Sequence, residues 1–270
     1  MMDALHSACE RIQREVLVSM FDACPVDARQ ALGLRLDRIG DVVVSVAQHD
    51  PSILLNRAQG LGSREPVTPE TIEAVVARYR RYGVGRYFFH VHPGVLPSAG
   101  PGWLVAAGLV KARGWVQFVR ANASPPAART DLTVKRVGAE HAGHLAAIVC
   151  DAFDLAELSR PYIAAIVEDE RWHCFMSFDG DTPAGTGAVL VVDDIAYLTF
   201  GATAPAFRRR GSQGAIMVAR IDAAVDLGCK HLFTETGEAV DGERQVSYRN
   251  IERYGFEPRF LCENWTVKPQ

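Results

Sequence analysis

The residues whose types and spacing could do chemistry lie between 201 and 215. Gly201, Ala202 and Thr203 close a strand-like run, and Pro205 turns the chain. Arg208, Arg209 and Arg210 then precede Gly211, Ser212, Gln213, Gly214 and Ala215, which open a helical pattern. A helix N-terminus carries unpaired N–H groups and partial positive charge, so it attracts anions. Glycines let a backbone approach an anion closely, and arginines add charge-assisted donors. The segment therefore reads as a pyrophosphate site; the competing reading is an exposed basic turn.

These residues need a scaffold, and the second half of the chain supplies one. Leu132–Val137, Trp172–Phe178, Gly187–Val192, Ile195–Gly201, Lys230–Thr236 and Phe260–Val267 read as strands, with Asp193-Asp194 as a tight turn. Glu140–Phe153, Ala156–Glu168, Ser212–Leu227 and Gln245–Tyr254 read as helices, the last two stopped by Gly228 and Gly255. The fold class is α/β (α+β), with a mixed, mostly antiparallel sheet flanked by helices. The small residues and prolines of 121–130 mark a linker, dividing the chain into 1–124 and 130–270.

The first half is patterned similarly. Ala4–Phe21 and Trp103–Ala107 read as helices; Asp41–Val46, Ile53–Ala58, Tyr87–Val91 and Trp115–Arg120 read as strands. Thr68 and Pro69 open a further helix whose apolar stripe is Ile72, Val75, Val76 and Tyr79. A faint repeat links the halves. Trp103–Leu109 precedes a strand with Trp115, as Asn250–Phe256 precedes one with Trp265.

The arrangement of proline, basic run, glycine turn and helix resembles the GNAT superfamily of acyl-CoA-dependent N-acyltransferases. The superfamily signature is Q/R-x-x-G-x-G/A; here Gln213 stands at its last position, with Gly214 one residue later. The resemblance extends to Ser247–Phe256, similar to the family's last helix and Gly-Phe pair. It implies that Gly201, Ala202 and Thr203 pair with a pantetheine arm and that residues 208–215 cradle the pyrophosphate. It also implies that Asn250 lines the pantetheine or thiol end. Acetyl-CoA would be the co-substrate, and a primary amine of a small molecule or peptide the acceptor. Family members often use a glutamate or an ordered water as base and a tyrosine as acid; Glu235 is the base candidate. Ile251 occupies the tyrosine position, and Tyr248, one turn earlier, is the substitute acid. A non-catalytic acyl-CoA-binding sensor or scaffold is the alternative. The first half would be a degenerate, GNAT-like or accessory domain, making the fold tandem.

Bulk composition limits the other readings. Lys and Arg number 29 and Asp and Glu 32, so no global field favours nucleic acid or an anionic membrane. The six cysteines show no metal-ligand spacing and read as reduced, which suggests a cytoplasmic protein. His90-Val-His92 puts two imidazoles on one strand face without a third ligand nearby in sequence, so no metal is expected. The arginines at 78, 80 and 81 read as a solvated helix face. A monomer or homodimer is expected.

Overall fold

The computed structural model describes residues 3–242 and 245–268. The first half runs α1 (Ala4–Ala23), α2 (Val26–Leu32), β1 (Leu34–Ile39), β2 (Val42–Ala47), β3 (Arg57–Gln59), α3 (Pro69–Arg81), β4 (Phe88–Val91), α4 (Gly100–Ala106) and β5 (Leu109–Ala121). The second runs β6 (Thr133–Val137), α5 (Ala142–Phe153), α6 (Arg160–Ala164), β7 (Trp172–Asp179), β8 (Thr182–Val192), β9 (Ile195–Thr203), α7 (Ser212–Asp226), β10 (His231–Gly237), α8 (Val246–Arg253) and β11 (Glu257–Val267).

All the strands form one sheet, ordered β1-β2-β3-β4-β11-β5-β10-β9-β8-β7-β6. Only β3/β4 and β9/β10 pair in parallel; the other neighbours are antiparallel. Both parallel pairs are joined by a helix, α3 in one half and α7 in the other. A parallel connection needs such a crossover. Each half then ends in a short helix and one long strand, α4–β5 and α8–β11. These are the units of the faint repeat, and they exchange places. β11 lies beside β4 of the first half, and β5 lies beside β10 of the second. The linker at 122–132 has no regular structure, yet the strand exchange joins the two halves into one sheet.

Local chemistry explains most of the elements. The Thr68 hydroxyl caps α3 by accepting from Thr71 N at 3.3 Å, and Ile72, Val75, Val76 and Tyr79 are buried as their spacing requires. Arg78, on the same helix, pairs with Asp37. Gly228 and Gly255 follow α7 and α8 with φ of 81° and 80°. Asp193 turns between β8 and β9 with φ 53°.

Three expectations change. The helix expected over Ala156–Glu168 is broken into 3₁₀ turns around the short α6; Pro161, in the first turn of α6, has no N–H to donate back, which separates α6 from the turn before it. The strand expected over Ile53–Ala58 shrinks to Arg57–Gln59, preceded by a turn in which the Asn56 side chain takes up backbone groups of Ala47, Asp50 and Ser52. Helix α2 and strand β1 were not anticipated; β1 exposes much of its length and pairs only with β2. All six cysteines are free and buried. No helix among the described residues is long and apolar enough to cross a membrane.

Candidate active site

Strands β9 and β10 pair only at Ile195–Tyr197 with His231–Phe233, then diverge. At the fork Thr234 Oγ1 donates to Leu198 O at 2.9 Å. Strand β9 bulges just beyond. Thr186 pairs with Ala202 but Ala188 with Thr199, so β9 carries one extra residue at Phe200-Gly201. Phe200 has φ 55° there. A bulge re-aims backbone groups, and this one borders a cavity of about 330 Å³.

Arg220 holds the bulge. It is only 3% exposed, and its Nη1 donates to Thr199 O at 3.0 Å and Ala188 O at 3.4 Å, carbonyls beside the irregularity. Gly187 and Gly201 leave room for it; a Cβ on Gly187 would lie 3.0 Å from its Cζ. Burial pushes the guanidinium pKa down to about 10. Sequence reading missed Arg220 because it stands mid-helix, outside any motif.

The turn into α7 has the expected backbone. Arg209 and Gly211 have φ of 66° and 83°, conformations that gather N–H groups on one side. Ser212, Gln213 and Gly214 are the first helical residues and precede the first intrahelical donor, Ala215 N, which bonds to Gly211 O at 3.0 Å. The side chains divide by role. Arg208 and Arg209 are exposed and make no ion pair among the described residues. Arg210, also expected at the phosphates, is instead clasped by Asp131 and Asp179, with Nε to Asp131 Oδ2 at 3.0 Å and Nη1 to Asp179 Oδ2 at 2.7 Å. It holds both carboxyls below their usual range. The Ser212 hydroxyl is buried against Ser177 Oγ at 2.7 Å and Thr203 Oγ1 at 3.4 Å. Gly211 is required because a Cβ would strike the Arg129 carbonyl, and Gly214 because one would strike the Tyr254 hydroxyl. Ala215 has already spent its N–H.

Residues 144–256 match the acetyltransferase (GNAT) family. Those residues form a GNAT acetyltransferase domain. The whole fold is similar to a GCN5-related N-acetyltransferase from Kribbella flavida, at 17% identity and TM-score 0.62, covering 91% of this chain and 96% of that one. It is also similar to a GCN5-related N-acetyltransferase from Sphaerobacter thermophilus, at 11% identity, TM-score 0.60 and coverage of 87% and 83%. A tandem GNAT protein from the clavulanic acid biosynthesis pathway aligns at 14% identity, TM-score 0.59 and coverage of 88% and 84%. At these identities the likeness is one of fold. The sequence has no significant match among curated proteins.

Within the GNAT half, Gly201, Gln213, Glu235 and Asn250 all line the cavity. Ala202 is buried in the β8 ladder and Thr203 is turned to Ser212, so neither borders it. Tyr248 does not border it either. Ser247, Asn250 and Ile251 form the cavity face of α8, and Tyr248 lies about 100° round the helix from Ser247. There its ring meets Phe118 edge-on at 4.8 Å between centroids.

The first half completes the cavity with Gln13 from α1, Arg57 and Gln59 from β3, and Trp115 from β5. Glu235 Oε2 accepts from Gln117 Nε2 at 2.7 Å and from Gln13 Nε2 at 3.0 Å. Gln13 Nε2 also donates to Gln117 Oε1 at 2.8 Å, so Gln13 Oε1 accepts from His92 Nε2 at 2.7 Å. His92 Nδ1 then accepts from His6 Nε2 at 2.8 Å. His90 Nδ1 donates to Asn264 Oδ1 at 2.8 Å, because Asn264 Nδ2 donates to Arg113 O at 2.9 Å. The directions are mutually consistent with neutral imidazoles, and burial lowers the pKa of His90 and His92. Cys262 comes within 4.8 Å of both imidazoles, a third ligand type that sequence spacing could not reveal. Both nitrogens of His92 are engaged in hydrogen bonds, to Gln13 and His6.

Proposed function

We propose that this chain is an acyl-CoA-dependent N-acyltransferase that uses acetyl-CoA and acylates the primary amine of a small molecule. One observation carries the reading: the diverging strands β9 and β10, with the bulge at Phe200-Gly201, open on a cavity that also holds Glu235 and Asn250. The residues fit a CoA thioester. The gap between the strands leaves backbone groups for a strand-like pantetheine, and the turn into α7 offers N–H groups and two uncommitted arginines to a pyrophosphate.

In this reading Arg208, Arg209 and the N–H groups of Ser212, Gln213 and Gly214 bind the phosphates. The Gly201 backbone faces the thioester carbonyl and stabilises charge developing on its oxygen. Asn250 orients the thiol end. The acceptor, arriving as an ammonium, loses one proton before attack and a second as the C–N bond forms. The C–S bond breaks, the departing thiol takes up one proton and the other is released. Glu235, held by Gln13 and Gln117, accepts the proton from nitrogen.

The first half serves as the acceptor wall. Its own turn before α3 is closed to phosphate: the Asp41 carboxylate accepts from the backbone N–H groups of Arg64 and Glu65, both at 2.8 Å. An internal anion fills the position that a diphosphate would need. This supports a tandem chain in which one half is degenerate and only the other binds CoA. The buried thiols are in keeping with a reducing, cytoplasmic setting.

The test is thiol release from acetyl-CoA over a panel of amines. Glu235→Gln should lower kcat by about 10²- to 10⁴-fold while leaving acetyl-CoA binding intact. Binding without turnover on every amine would favour the non-catalytic sensor, for which Ile251 in the cavity wall is the supporting residue.

A further inference from the structure

Arg57 reaches the cavity from β3 and lies across the face of Trp115, with Cζ 4.6 Å from the ring centroid. Its Nη1 is 3.5 Å from Glu235 Oε1. Among the described residues its guanidinium makes no hydrogen bond, although its side chain is 11% exposed. Glu235 commits its other oxygen, Oε2, to the two glutamines. The cavity thus presents, side by side, a guanidinium stacked on Trp115, with no hydrogen bond among the described residues, and a carboxylate oxygen. The other cavity arginine, Arg220, is different, because its Nη1 is spent on backbone carbonyls. The same cavity also offers apolar side chains, among them Leu17 and Met20 of α1, Leu54, Phe153 and Phe200.

A planar guanidinium with unused donors is a receptor for carboxylates, which it binds in bidentate fashion. A neighbouring carboxylate is the complementary receptor for an amine. An opposite-charge pair 3.5 Å apart therefore matches a molecule whose own amine and carboxylate are separated by one carbon. The apolar side chains of the cavity would take that molecule's own side chain, and burying it drives binding.

Resting on the acyltransferase reading above, we infer that the acceptor is a free α-amino acid with an apolar side chain. Arg57 holds its carboxylate and Glu235 faces its amine. Recognition is then divided between the halves: the anion receptor comes from the first and the proton acceptor from the second. A carboxylate arriving on the acyl group instead, as in succinyl-CoA, would satisfy the same guanidinium, so the two sources must be separated.

The experiment compares L-leucine, L-leucinamide and isopentylamine as acceptors with acetyl-CoA, by thiol release, in wild type, Arg57→Gln and Arg57→Lys. Acetyl-CoA and succinyl-CoA binding are measured separately by calorimetry. Leucine should be preferred over both carboxylate-free amines by about 30-fold or more in kcat/KM. Arg57→Gln should erase that preference through a raised KM for leucine, with acetyl-CoA affinity unchanged. Arg57→Lys should restore part of it, since charge remains without the planar fork. Because the readout is a ratio between acceptors, a general loss of activity does not imitate it. Equal use of isopentylamine, or no use of leucine by a protein that binds acetyl-CoA, overturns the inference. So does tighter binding of succinyl-CoA than acetyl-CoA that is lost in Arg57→Gln. Failure to bind either thioester overturns the acyltransferase reading itself.

Discussion

Gln13 on the first helix donates to Glu235 Oε2 on β10 at 3.0 Å, across 222 residues of chain. One half thereby fixes the orientation of a carboxylate that belongs to the other. Gln13→Leu removes that donor while keeping an apolar stem against α1's neighbours. It should lower kcat by about tenfold or more through misplacement of Glu235. Acetyl-CoA affinity should stay the same, measured by titration beside steady-state kinetics. An unchanged kcat would show that Gln117 alone positions the carboxylate.

Arg220 predicts a stability effect. Arg220→Met leaves the carbonyls of Thr199 and Ala188 without their buried donor, at a cost of about 1–3 kcal/mol for each. Removing a buried, unpaired cation offsets part of this, so the net loss should be about 2 kcal/mol, or roughly 4–8 °C in Tm. Acetyl-CoA binding should weaken with it, because the bulge loses its peg. A Tm within 1 °C of wild type (~0.3 kcal/mol) would contradict the account.

The close approach of α7 to α8 gives a double-mutant test. A methyl group at Gly214 would occupy the place of the Tyr254 hydroxyl. Gly214→Ala should destabilise by about 1–3 kcal/mol. Tyr254→Phe in the same chain should recover part of that loss by removing the obstructing oxygen. Additive effects in urea unfolding would argue against the contact.

Much of this was legible in sequence, and the reasons for what was not are physical. Periodicity located most helices and strands of the second half, and Gly228 and Gly255 marked the ends of two helices, but it overran the broken segment 156–168. The Arg208–Gly211 turn was legible because an anion site needs that local chemistry. The roles within the run were not, since Arg210 is claimed by Asp131 and Asp179, which are distant in sequence. Gly211 and Gly214 were read as phosphate glycines, yet their immediate constraints are Arg129 and Tyr254. Arg57, Gln13 and Trp115 could not be found at all. They reach the site only because β5 and β11 exchange places and bring the first half against β10. The repeat of Trp115 and Trp265 marked those strands, but nothing in it signalled an exchange.

The buried histidines set a pH dependence. His90 and His92 have pKa values below the ordinary 6.5, lowered by burial. Between 6.5 and those lower values the unfolded chain binds more protons than the folded one. Stability therefore falls as pH falls through that window, by up to ~1.4 kcal/mol per pH unit for each histidine, and the pair contributes no slope above about pH 7.5. Urea unfolding at pH 7.5, 6.5 and 5.5 should show this, with a shallower slope in His90→Asn/His92→Gln. Equal slopes in the two proteins would mean that other groups control it.

The central claim is that the turn into α7 binds the diphosphate of an acyl-CoA, and calorimetric titration of acetyl-CoA tests it most directly. Arg208→Glu/Arg209→Glu is the comparison, since both side chains are exposed and make no ion pair among the described residues. The account predicts micromolar binding by wild type, weakened about 100-fold or more in the variant, with Tm unchanged. Equal affinity in the two proteins, or no binding by wild type, would contradict it.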